Sequence, residues 1–197
     1  MDFLLKASRA IDWLNEHIGR AVYWLILLMV IICTANALMR KLFNISSNGF
    51  LEIQWYLFAA VFLLAAAYTL QRNDHVRIDV VVGHFSLRTQ VLIDLFGTLF
   101  FLFPLCWLMI KYGWPYFVDS FHTGEYSPNP GGLILWPVKI LIPVGFALLA
   151  LQGVSQLIKQ CGALAGRVDP HTLIKSNHGP AAEVEDLLAG HAAPKQP

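Results

Sequence analysis

Arg72, Asp74, His75, Arg77 and Asp79 crowd into one stretch, TLQRNDHVRIDVVVGHFSLRTQ (69–90), between two long apolar runs. As chemistry, the set suits three uses. On a helix, His75 and Asp79 share a face at i,i+4, the arrangement of a proton relay. Adding His84 supplies the donor types of a metal site. A metal needs three or four converging ligands, however, and these three do not face one another on a single helix. The third use is structural. Asp74 is suited to cap a helix, and Val76, Val80, Val81, Phe85 and Leu87 give that helix one apolar face for the membrane interface or for another protein. HVRIDV also alternates as a strand does, but no strand partner is at hand. The expectation is a docking elbow in which His75, Arg77 and Asp79 seat the chain on a partner, with relay and metal as the sharper alternatives.

Three further charges stand inside apolar runs, where each costs about 2.5–3.5 kcal/mol at mid-membrane and less near the ends. Glu52 and Lys139 enter at comparable depth with opposite sign. They are expected to approach each other, or each to meet a charge on a partner protein. Asp94 lies at the level of Arg72 or Arg88, and a structural pair is expected. These charges do not form the transmembrane chain that conduction requires. Haem ligation within a helical anchor needs histidines inside the spans, and His17, His75, His84, His122, His171, His178 and His191 all lie outside them or at their edges. Cys33, Cys106 and Cys161 are scattered and offer no CxxC pair. With no Walker motif, nucleophile elbow or HExxH, the reading is a chain that is not an enzyme, with no cofactor, no metal and no nucleic-acid partner.

The elements that position these residues follow from composition. Hydrophobic residues make up 56% of the 197 and charged residues 14%, too few charges for an ordinary soluble surface. The apolar residues form four blocks, 21–39, 50–70, 91 to about 112, and 133–157, each near the roughly 20 residues a helix needs to cross a bilayer. Helices satisfy their own backbone in hydrocarbon, so the expected fold is an all-α integral membrane protein of four transmembrane helices, kinked at Pro104, Pro137 and Pro143. The first block is read as a retained span, because its leader is long and holds Asp2, Asp12 and Glu16. Sorting Lys and Arg by side places both termini and the 69–90 elbow in the cytoplasm, with Arg40 and Lys41 as the dissenting pair. Residues 1–17 recur apolar at Leu4, Ala7, Ile11, Leu14 and Ile18, as in an interfacial helix lying on the membrane lipid. Residues 18–160 form the membrane domain, and 161–197 read as a disordered cytoplasmic tail. Within that tail, AEVEDLLAG has the pattern of a short amphipathic helix.

Together these features resemble a known family. FLEIQWYLFAAVFLLAAAYTLQRNDHVRIDV (50–80), followed by GEYSPNPGGLILWPVKILIPVGFALLALQ (124–152), is similar to the small permease subunit of tripartite ATP-independent periplasmic (TRAP) transporters. The likeness covers roughly residues 20–160. It rests on Glu52 with Trp55, on His75-x-Arg77-x-Asp79, and on Gly124-Glu125 leading to Trp136, Lys139, Pro143 and Gly145. Many relatives carry proline where this chain has Ile134, which leaves the shape of the outer loop open. The resemblance implies a bacterial inner-membrane protein that scaffolds a large permease subunit, with a periplasmic receptor delivering an organic acid and an ion gradient driving uptake. Glu52, Trp55, Arg72, His75, Arg77, Asp79, Asp94, Glu125, Trp136 and Lys139 are the residues expected to be structural or to face a partner. The rival reading is the membrane anchor of a quinone-linked redox complex.

Overall fold

A computed structural model describes residues 2–44, 47–72 and 85–164. His75, Arg77 and Asp79 lie outside these residues, as does AEVEDLLAG. Four helices among the described residues are long and apolar enough to cross a membrane: Leu4–Phe43, Asn48–Arg72, Arg88–Thr123 and Trp136–Leu164. The chain is all-helical there apart from one isolated bridge in a loop, as the apolar blocks require.

Each span is longer than its apolar block. Helix α1 (Asp2–Phe43) runs 42 residues without interruption, through the expected boundary at residue 17. Its buried positions are Ser8, Asn15, Gly19 and Val22, with Asp12 half-buried between them. That spacing of three and four places one polar and small-residue stripe along the helix. Leu4 and Leu14 of the expected interfacial face are exposed. Helix α2 (Asn48–Arg72) returns beside α1, so the start of α1, residue 72 and the last described residues, near 164, share one end of the bundle. This is termed the terminal end, and the opposite one the hairpin end.

The third span comprises α3 (Leu87–Gly97), a widened turn over Thr98–Leu102, and α4 (Phe103–Thr123). Ser86 caps α3, its hydroxyl accepting from the Thr89 amide. The widened turn directly precedes Pro104, which has no amide hydrogen for the Phe100 carbonyl. Re-forming the ladder as the five-residue bond from the Phe103 amide to the Thr98 carbonyl is the local answer. Gly124 closes α4 in the left-handed conformation at φ 61°, which a side chain disfavours.

The fourth span begins with a short turn of helix, α5 (Trp136–Lys139), and continues as α6 (Leu141–Leu164). Pro143 cannot donate to the Lys139 carbonyl, and the helix relaxes at Ile140 between them. Helix α6 is the hub: it packs on α1, α2 and α4. Its buried residues are Pro143, Gly145, Gln152, Gly153, Ser155, Gln156, Gln160, Gly162 and Ala163, almost all small or amide-bearing. Lipid is as apolar as leucine, so helices in it associate by close backbone approach and by polar contacts instead. Gly145 shows the first: a Cβ there would sit 2.8 Å from the Leu63 Cβ and 2.9 Å from its carbonyl oxygen. The bulky residues face outward, among them Trp24, Trp55, Phe62, Phe101 and Trp107.

Candidate functional site

The polar side chains inside the spans collect in two places, one at each end of the bundle. At the hairpin end the loop after Gly124 folds back on itself. Tyr126 and Ile134 form an antiparallel bridge flanked by bonds from the Ser127 amide to the Leu133 carbonyl (2.9 Å) and from the Leu135 amide to the Glu125 carbonyl (2.9 Å). Neither flanking bond uses the amide of Ile134. A proline there would cost no ladder bond.

Glu52, 3% exposed on the first turns of α2, holds this loop. Its Oε2 accepts from the Leu133 amide at 2.6 Å, and its Oε1 from Asn129 Nδ2 at 2.8 Å and from the Ser127 hydroxyl. A buried carboxylate needs several donors to offset its lost hydration, and the turn-forming loop supplies them. Tyr56, one turn further along α2, donates to the Ile134 carbonyl at 3.1 Å, and Asn48 donates to Pro130 at 3.0 Å. Three residues of α2 thus fix one loop.

Lys139 is also buried, and its ammonium pairs with Glu125 at the start of the same loop. The Tyr116 ring on α4 covers the ammonium, 4.0 Å from the ring centroid. The hydrogen bond from Lys139 is the chief reason the Glu125 carboxyl lies below its ordinary value. The direct approach of Glu52 to Lys139 expected from depth and sign is not what forms. The loop folds between them, giving Glu52 neutral donors and Lys139 its own carboxylate. Trp136, half-buried at the first turn of α5, meets Phe121 edge to face at 5.5 Å.

At the terminal end the stripe on α1 meets α6. Asn15 Nδ2 donates to Gln152 Oε1 at 2.7 Å, and Gln152 Nε2 donates to Asp12 at 3.0 Å. Ser155 donates to Asp12 at 2.8 Å and lies 2.7 Å from the Ser8 hydroxyl. Lys159 closes the set with an ion pair to Asp12 at 2.6 Å. Gln156 reaches across to the Leu70 carbonyl at 3.1 Å, tying the end of α2 to α6. Sequence reasoning passed over this seam, since it assigned the leader's apolar residues to the membrane interface and gave its polar residues no partner. The signal lay in Gln152, Ser155 and Gln156 standing inside an apolar block, opposite a leader whose polar residues also recur by threes and fours.

The remaining expected residues lie apart. Arg72 pairs with Glu16 at 3.3 Å and stacks on Tyr68 at 5.3 Å, joining α2 to α1. Asp94 is half-buried on α3. Trp55 is 68% exposed on α2, one turn from Glu52. Of the ten expected residues, the structure therefore brings Glu52, Glu125, Trp136 and Lys139 together around the hairpin loop. Among the described residues, no group of three His, Cys, Asp or Glu side chains is placed to hold a metal ion. What the two clusters do chemically is bind helices and loop into one fixed body.

A family model described as tripartite ATP-independent periplasmic transporters, DctQ component, matches residues 29–162. No curated protein and no solved structure matches the chain. The match spans more than half of the chain, taking in the Glu52 and Lys139 clasps and the α6 side of the seam, and the chain therefore belongs to the DctQ component family of tripartite ATP-independent periplasmic transporters.

Proposed function

We propose that the chain is a static brace for a large permease subunit, in a transporter that takes up an organic acid on an ion gradient after a periplasmic receptor delivers it. The observation that carries this reading is how the bundle uses its polar groups. Glu52, Lys139, Asp12, Asn15 and Gln152 bond within the bundle, at its two ends, while the large apolar side chains point outward. A carrier needs polar groups free to exchange partners with its cargo near mid-membrane. A brace needs the opposite, a body whose polar contacts are already made.

In this reading both termini are cytoplasmic and the hairpin loop is periplasmic, where it faces the receptor or the large subunit's outer surface. Trp55, exposed beside the clasped loop, and Trp136 serve as contacts for the large subunit. The His75–Asp79 elbow seats the inner end of the brace.

Purification of the tagged chain from its native membrane, with mass-spectrometric identification of the proteins that travel with it, tests the proposal. A large multi-span permease is the expected companion. Reconstituted alone in vesicles, the chain should move no solute. Saturable transport by the isolated chain would overturn the reading, and a haem spectrum with redox subunits as companions would favour the anchor of a redox complex.

A further inference from the structure

Helix α1 ends its apolar run with two cations, Arg40 and Lys41. Cys33, Asn36 and Arg40 recur at i, i+3 and i+7 and so line one face of the helix. Leu51 and Gln54 stand opposite on α2. Between the two helices lies an open groove of about 540 Å³, lined by these five residues together with Ala37 and Lys41.

The polar side of this groove is uncommitted. Among the described residues, Arg40 and Lys41 enter no hydrogen bond or ion pair. Gln54 Nε2 is buried and has no acceptor. The nearby acid on α2, Glu52, is itself buried and already holds three donors from the loop. The mouth thus offers two positive charges with no anion to meet them. Cys33 lies about 10 Å along the helix axis from Arg40, and the groove runs between them past Asn36 and Ala37. Leu38, Met39, Leu42 and Phe43 are exposed around the same turns, as on a surface bathed in lipid tails.

We infer that this groove binds an anionic phospholipid, with its phosphate against Arg40 and Lys41 and its acyl chains along the exposed apolar side chains beside them. A free phosphate would satisfy the two cations alone and leave the exposed apolar side chains around them uncovered. The ligand also gives a physical reason for the two cations. In the orientation proposed above they stand against the positive-inside bias, and a headgroup contact would keep them there. The groove itself does not depend on that orientation.

Native mass spectrometry of the full chain in mild detergent tests the site, with separate titrations of phosphatidylglycerol, phosphatidylcholine and inorganic phosphate. Phosphatidylglycerol should bind roughly tenfold or more tightly than phosphatidylcholine, from two basic side chains at one headgroup. The preference should collapse when Arg40→Gln and Lys41→Gln are combined. It should survive Lys111→Gln, which removes a cation on α4 outside the groove. Equal binding of the two lipids, or a preference unmoved by the double substitution, overturns the inference. Displacement of phosphatidylglycerol by an equal concentration of phosphate overturns it too, and marks a free-anion site instead. Loss of a co-purifying polypeptide from the double variant with lipid binding intact assigns the cations to a protein contact. If the glutamine variant does not fold, the contrast between the two lipids on the wild-type chain, and its retention in Arg40→Lys with Lys41→Arg, decide the question.

Discussion

At the scale of single residues, the hairpin end depends on one carboxylate. Replacing Glu52 by alanine leaves the Leu133 amide, the Asn129 amide group and the Ser127 hydroxyl without their shared acceptor. Hydrogen exchange at Leu133 should rise roughly tenfold or more, while the helical amides of α4 keep their protection. Glu125 carries the pH dependence of the same loop. Its carboxyl is held below the ordinary value of 4.5 by Lys139, so the folded state takes up the proton less readily than the unfolded one. The pair's contribution is then fully present above that ordinary value and is lost as pH falls through the lowered one. A series of thermal melts should show a gap between wild type and Glu125→Gln that is constant from about pH 6 upward and closes on acidification. Glu125 is 41% exposed, so added salt should narrow the gap as well. Both residues were visible in the sequence as charges in the wrong place. Their partners were not, because depth and sign alone point Glu52 at Lys139. The donors that intervene come from a loop of turn formers whose fold no periodicity specifies.

At the scale of elements, α6 is held to α1 by amides and to α2 by absence of bulk. Asn15→Ala should cost about 1–3 kcal/mol, because Gln152 Oε1 then stays buried without its donor. Asn15→Leu combined with Gln152→Leu should cost less than the sum of the two single changes, and a double-mutant cycle read by thermal melting measures that coupling. Gly145→Val meets the α2 backbone at Leu63 and should destabilise the bundle by about 1–3 kcal/mol, or block assembly outright. Hydropathy located every span, since twenty apolar residues in a row have few other uses. It placed every end short except the start of the fourth span, because the helices continue past the apolar run on polar side chains that a hydropathy window counts against them. The leader of α1 is the largest case: Ser8, Asp12 and Asn15 look wet until the amides of α6 are set opposite them.

At the scale of the whole molecule, the described residues form one all-helical body, a multi-pass inner-membrane protein by family and by its four spans. Removing residues 1–17 should leave four insertable segments but strip Gln152, Ser155 and Lys159 of their partners. The midpoint of thermal unfolding should fall by roughly 5–10 °C, and recovery of the companion permease should drop with it. A deletion with unchanged melting would mean that the seam adds nothing to the fold. The unbroken run of α1 has one more effect. At 42 residues it is about 63 Å long, roughly twice the hydrocarbon thickness. Its first four turns are bolted to α6, so the overhang is a stiff post and not a loose leader. A neighbour that swings during its work would push there against a lever rooted in all four rods, and its load would spread through the body instead of being lost in a yielding joint.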